Sequence, residues 1–345
     1  MDITCNMERI NFDYNGHVKK VSDNTFFNDN IGVSVHILCY NHEKSIKRCI
    51  ESVLMQKVDF NVEIIIHDDC STDSSLSICL EYGHKYPNFI HVINENENLY
   101  SKTNGVLQIE NKLNKESKGL YVALCEGDDY WLDDMKLFQQ YHLMISNPNI
   151  GLCVHRVQVN NNINKEKTYY PNKKINEGII KSKKFIDIIN KNYSFQTSSY
   201  FLRSDIYFKF YEETPSFAFS MPTNDESWML YFGSKSDVLY INKIMSCYNK
   251  FSTNSWSSNS SLYTPAQKKC ERLSVVKAIN EFNEYTNYAY NKSCKKRIAH
   301  NMLMNYINDD DFKSIFKNKI VAKEFWRINK KAFIKKWIKT YVFKG

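Results

Sequence analysis

Leu120-Tyr121-Val122-Ala123-Leu124, running into Cys125-Glu126-Gly127-Asp128-Asp129-Tyr130-Trp131, is the stretch that decides the fold. Its first five residues are an apolar run that reads as a buried strand, and three carboxylates arrive together where that strand ends. In an open α/β sheet, ligands bind at the carboxyl ends of the strands. Carboxylates crowded there repel one another and lose hydration unless a cation or a ligand's polar groups compensate. Hard oxygen donors suit Mg²⁺ or Mn²⁺, which keep several waters and bind substrate phosphates. The stretch therefore reads as a metal-bridged nucleotide diphosphate site. The alternative is an acidic loop capping a helix that starts near Leu132.

Upstream, the pattern alternates. Ile31–Tyr40 is a buried strand ended by the turn Asn41-His42, and Ser45–Met55 has apolar residues at helical spacing. Val62–His67 is a second strand, stopped by Asp68-Asp69-Cys70-Ser71-Thr72-Asp73. A helix over Ser74–Tyr86 follows, and Pro87 ends it. Phe89–Ile93 is a third strand and Thr103–Leu113 a third helix, before the carboxylate strand at 120–124. This predicts an α/β fold with a mainly parallel sheet flanked by helices, of the nucleotide-binding type. Ser71, Thr72 and Asp73 read as an N-cap cluster. Asp68 and Asp69 are not needed for capping, and a carboxylate at a strand exit can accept from a nucleobase N–H.

Composition bounds the rest. The chain has 345 residues, 43% of them hydrophobic and 14% aromatic, enough for a sizeable core rather than a disordered chain. No apolar run approaches the ~20 residues that span a bilayer. Met1-Asp2-Ile3-Thr4-Cys5 does not open a secretory signal. Ten cysteines stand singly, without metal spacing, which suits a reducing cytoplasm. Much of the net charge of +8 gathers in residues 313–345, where lysines interleave with Phe316, Trp326, Phe333, Trp337 and Tyr341. Such a basic amphipathic stripe fits an anionic membrane surface or the protein's own core. No module for nucleic acid accompanies it.

Val33–Asn41, Glu63–Asp73 and Glu126–Trp131 resemble glycosyltransferase family 2 in order and separation, over roughly residues 31–255. The resemblance implies a GT-A fold, an inverting transfer from a nucleotide-diphosphate sugar (a UDP-sugar first among donors) and a divalent metal, Mn²⁺ or Mg²⁺. It places Tyr40 against the base, Asp69 in a hydrogen bond with it, Asp128 on the ribose or the metal, and Asp129 on the metal. Glu126 takes the place of a frequent Asp.

An inverting displacement also needs a base opposite the leaving group. After Pro222, Thr223-Asn224-Asp225-Glu226-Ser227 fits the start of a helix at the cleft; Asp225 aligns best and Glu226 is the reserve. The alternative is an acidic pair favourable to the helix dipole. Phe195–Arg203 resembles the family's acceptor-side strand, and Tyr248–Trp256 a loop closing over the diphosphate, though Asn249 and Phe251 stand where Arg and His are common. His155 reads as a packed core residue.

The resulting domain plan is a polar lead-in over 1–30, a GT-A domain over 31–258 and a helical, basic extension over 259–345. The acceptor expected is a glycan or lipid-linked glycan in cell-surface polysaccharide synthesis. The site would be cytoplasmic, with membrane contact through the C-terminal stripe. Two other readings are open: a sugar nucleotidyltransferase, disfavoured because Tyr40-Asn41-His42-Glu43 is no Gly-rich phosphate loop, and a non-catalytic binding module.

Overall fold

The computed structural model describes residues 18–23, 30–102, 105–191, 195–252 and 256–328. Most of the polar lead-in, the start of the helix expected from Thr103, and the stripe beyond residue 328 lie outside them. The chain forms two compact units: Met1–Phe185, Tyr193–Glu213 and Lys235–Asn259 in the first, and Ile186–Asn192, Thr214–Ser234 and Ser260–Gly345 in the second.

The first unit is built on β1 (Ile31–Cys39), α1 (Ile46–Leu54), β2 (Asn61–Asp68), α2 (Ser75–Lys85), β3 (Ile90–Asn94), α3 (Gly105–Glu116) and β4 (Tyr121–Glu126). The strands β4-β1-β2-β3 lie side by side and parallel. Ile64, Ile65 and Ile66 are all fully buried, so β2 is covered on both faces. This is why a parallel strand reads as a continuous apolar run rather than an alternating one. In α1, Ile46, Cys49, Ile50, Val53 and Leu54 turn inward at helical spacing. Each such side chain contributes roughly 1.5–3 kcal/mol through burial.

The sheet continues through β5 (Tyr130–Trp131), β6 (Leu152–Asn161), β7 (Phe201–Arg203) and β8 (Val238–Lys250). The short β7 sits antiparallel between β4 and β6. Strand β8 runs parallel to β6, and its far end pairs antiparallel with β5. That pairing brings residues 246–250 beside the carboxylate loop. His155 is fully buried in β6, and its Nδ1 donates to the Arg156 carbonyl at 2.9 Å.

Because β1, β2 and β4 are parallel, Tyr40, Asp69 and Glu126–Asp129 all emerge at one edge. The β1 and β2 exits are stapled to each other. Asn41 N–H donates to Ser71 Oγ (2.9 Å), Thr72 N–H to Asn41 Oδ1 (2.8 Å) and Glu43 N–H to Asp73 Oδ2 (3.1 Å). This corrects the capping expectation for Ser71 and Thr72: Ser71 is held by Asn41 and Asp68, and Thr72 by Asn41, while Asp73 accepts from Ser75 N–H at 2.9 Å. Asp68 is committed as well, accepting from Ser71 N–H and Oγ at 2.9 and 2.6 Å.

The second unit contains the helix Asn224–Lys235 for most of its length, together with Pro265–Tyr285, Asn291–Asn308, Phe312–Lys317 and Lys319–Ile328. The helical spacing expected at 272–279 and 298–307 lies within two of these. Thr264 caps Pro265–Tyr285 through a reciprocal pair with Gln267. Phe282 packs edge-on against Phe217, with ring centres 5.3 Å apart. Ala299, Leu303, Ile315, Val321 and Phe325 form the buried cluster under the last helices. No helix of the described residues is long and apolar enough to cross a membrane.

Candidate active site

Strand β4 delivers Glu126 to the edge of the sheet, and a tight turn carries the chain through Gly127 and Asp128. Gly127 N–H donates to the Leu38 carbonyl at 2.8 Å and Asp129 N–H to the Glu126 carbonyl at 2.8 Å. A Cβ at 127 would lie 2.6 Å from His42 Nδ1 and 2.9 Å from the Leu38 carbonyl oxygen, so only glycine lets the turn sit this close to β1.

The turn gathers Glu126, Asp128 and Asp129, each offering an oxygen within 4.8 Å of the others. Asp128 is 7% exposed and Asp129 1%. Burial pushes the Asp129 carboxyl well above the usual carboxylate range, repulsion from Asp128 and Glu126 adds to this, and the Asn249 N–H opposes it. Three hard oxygen donors held together against their own repulsion match what Mg²⁺ or Mn²⁺ requires. The residues present therefore fit a divalent cation.

The neighbours of this cluster come from far along the chain. Asp129 Oδ1 accepts from Asn249 N–H at 2.9 Å and Oδ2 from Gln196 Nε2 at 3.0 Å. Asn249 Nδ2 also donates to the Asp128 carbonyl at 2.6 Å, and Ser252 Oγ donates to Asp128 Oδ2. Thr197 Oγ1 donates to Glu126 Oε1 at 3.2 Å. Burial raises the Tyr248 phenol, and the negative charge of Glu126, Asp129 and Asp128 raises it further.

These contacts revise two expectations. Within Phe195–Arg203 only residues 201–203 form a strand; Thr197–Ser199 is a single 3-10 turn, and Gln196 and Thr197 reach the carboxylates. In Tyr248–Trp256, the first three residues are the end of β8, and Asn249 braces the aspartates. Gln196, Asn249 and Ser252 lie in the two segments singled out by resemblance, but nothing in the sequence pointed to their contacts with the carboxylates.

Tyr40 is 37% exposed at the β1 exit. Asp69 N–H donates to the Cys39 carbonyl at 2.9 Å, placing the two loops side by side. The Asp69 oxygens accept from Leu99 N–H (2.7 Å) and Tyr100 N–H (3.0 Å), which uses two of the carboxylate's roughly four lone-pair sites.

Asp225 and Glu226 lie in the second unit, in the first turn of Asn224–Lys235. Burial raises the Asp225 carboxyl, and Glu226 adds to the rise against the Thr223 hydrogen bond. Glu226 is ion-paired with Arg297, itself 5% exposed, whose Nη1 donates to the Ile189 carbonyl at 3.0 Å.

The model of glycosyl transferase family 2 matches residues 34–210, just over half of the 345-residue chain. The uncharacterized protein Rv1520 of Mycobacterium tuberculosis is 35% identical over 127 residues, 37% of this chain and 35% of that protein. The UDP-Glc:alpha-D-GlcNAc-diphosphoundecaprenol beta-1,3-glucosyltransferase WfaP of Escherichia coli is 35% identical over 115 residues, 32% of this chain and 41% of that enzyme. The matched region thus spans well under half the length of either relative. Among solved structures, S. aureus TarS 1–349 in complex with UDP-GlcNAc superposes with a TM-score of 0.57 at 15% identity, covering 80% of this chain and 73% of that one. The shared architecture is the GT-A fold. With its match running from inside β1 to Phe210, the chain belongs to glycosyl transferase family 2.

Proposed function

We propose that this protein transfers a sugar, with inversion, from a nucleotide-diphosphate sugar to a hydroxyl of a glycan or lipid-linked acceptor in cell-surface polymer synthesis. The observation that carries the reading is the Glu126, Asp128 and Asp129 cluster at the carboxyl end of β4. A UDP-sugar is the favoured donor, supported by the UDP-GlcNAc in the TarS complex and by the name of WfaP.

In this reading Tyr40 packs on the base, Asp69 hydrogen-bonds it, and Asp128 faces the ribose or the cation. Glu126, Asp128 and Asp129 are the residues that would hold Mn²⁺ or Mg²⁺. Bound there, the cation would offset charge on the departing diphosphate. Asp225 takes the proton from the acceptor hydroxyl; a carboxyl raised by burial is better matched to that task near neutral pH. Glu226 is unsuited, because its charge is committed to Arg297.

The membrane contact is part of the same proposal, at the cytoplasmic face. Phe316 and Trp326 are 48% and 49% exposed, with ring centres 6.4 Å apart, and the same two helices carry the exposed Lys313, Lys317, Lys319 and Lys323. Exposed aromatic rings on helices rich in lysine complement an anionic lipid surface.

The test is UDP release from a panel of UDP-sugars with and without Mn²⁺. Release is expected with at least one sugar, lost in Asp129→Ala and in Asp225→Asn. A wild-type protein that binds the nucleotide but releases nothing with any donor and acceptor would favour a binding module instead.

A further inference from the structure

Gln196 sits directly against the carboxylate cluster, 8% exposed, on a segment 67 residues beyond Asp129. Its amide has one allowed orientation. Oε1 accepts from Ser198 N–H at 2.8 Å, and a main-chain N–H can only donate. Ser198 Oγ donates to the same oxygen at 2.5 Å and is itself 2.8 Å from Ser246 Oγ on β8, with both serines fully buried. Nε2 is therefore turned toward Asp129 Oδ2 (3.0 Å), with a weaker second contact to Thr197 Oγ1 at 3.3 Å. The opposite oxygen of Asp129 accepts from the Asn249 main chain, also an obligate donor.

Asp129 is thus gripped at both oxygens by N–H groups that can only donate. Both oxygens are thereby held from opposite sides by donors fixed in buried structure. The grip also fixes the plane of the carboxylate. We infer that Gln196 is a positioning residue for the metal site: through the Ser246–Ser198–Gln196 relay it fixes the orientation of the Asp129 carboxyl toward a divalent cation. The inference rests on the donor-site reading above and deepens it. Outer partners of ligating groups typically set metal affinity within 10–100-fold.

The test is the Mn²⁺ midpoint of the full-length protein, read as loss of the free-ion EPR signal, with the melting temperature of the metal-free protein measured alongside. Gln196→Met removes the donor at nearly constant volume, and Gln196→Asn keeps an amide too short to reach. Both are expected to weaken Mn²⁺ binding about tenfold or more. The metal-free melting temperature should fall as well, because the buried Ser198 N–H and Oγ lose their acceptor. The Mn²⁺ midpoint is therefore the deciding readout, and saturating Mn²⁺ should restore the UDP-induced melting shift. A purely structural role would lower the metal-free melting temperature but leave the Mn²⁺ midpoint unchanged. If Asp129→Ala abolishes Mn²⁺ binding while both Gln196 variants stay within twofold of wild type, the positioning role is wrong and the donor site stands. If Asp129→Ala binds Mn²⁺ as wild type does, the donor-site reading itself fails, and the positioning role with it.

Discussion

Glu226 is ion-paired with the buried Arg297, whereas Asp225, its neighbour in the same first helical turn, carries a carboxyl raised by burial. In the proposed mechanism the two adjacent acids are divided between two jobs. Asp225→Asn should lower turnover by about 10²–10⁴ while leaving UDP binding intact. Glu226→Gln should instead strand the Arg297 charge and cost about 3–5 kcal/mol of stability. Turnover and chemical denaturation of the two variants separate these outcomes.

Gly127 is expected to be intolerant of any side chain. The obstacle includes the Leu38 carbonyl oxygen, 2.9 Å from where an added methyl would sit and part of the β1 ladder, which cannot swing aside as a side chain would. Gly127→Ala should lose about 1–3 kcal/mol and weaken Mn²⁺ binding by displacing Asp128 and Asp129. Unchanged urea unfolding together with an unchanged Mn²⁺ midpoint would contradict this.

Glu110 makes a pH-dependent contribution away from the site. It is buried in α3, and its Oε2 accepts from the Tyr207 hydroxyl at 2.6 Å. Burial pushes its carboxyl from the ordinary 4.5 up to about 7, with the Tyr207 hydrogen bond opposing the rise. The folded protein holds this proton more tightly than the unfolded chain. Its stabilising effect is therefore complete below the unfolded value and is lost as pH rises through about 7. Glu110→Gln should be more stable than wild type near pH 8.5, by up to about 3 kcal/mol, with little gain near pH 5. Denaturation at the two pH values checks both the sign and the window.

The aromatic pair Phe316 and Trp326 should carry membrane binding. Vesicles with about a third phosphatidylglycerol are expected to sediment the wild-type protein, and phosphatidylcholine vesicles to leave it in solution. Phe316→Ser with Trp326→Ser should weaken binding several-fold, and raised salt should weaken it further. Equal sedimentation of wild type and double variant would remove this surface from the account.

The parallel half of the sheet was legible in the sequence because β1, β2 and β4 are buried on both faces and read as unbroken apolar runs. The carboxylates were legible because strand exits in such a sheet fall at one edge, so Asp69 and Asp128 could be placed together without knowing the packing. The braces were not. Gln196, Asn249 and Ser252 lie 67, 120 and 124 residues from the aspartates they touch, and no local period encodes a contact of that separation. The three-residue β7 is too short for any period to show, so the turn that delivers Gln196 read as part of a strand. Ser71 and Thr72 looked like helix caps because their chemistry suits capping; the packing of β1 against β2 gave them nearer partners.

In the proposed mechanism Asp129 belongs to a metal-dependent nucleotide site. The most direct measurement is a thermal-shift panel of uridine, guanosine, cytidine and thymidine diphosphates, with and without Mn²⁺, on wild type and Asp129→Ala. A ligand that binds only the folded state at about 100 times its dissociation constant adds about 2.7 kcal/mol. The predicted result is a Mn²⁺-dependent rise in melting temperature with uridine diphosphate that disappears in Asp129→Ala. No rise with any of the four nucleotides, or an equal rise in the variant, would contradict it.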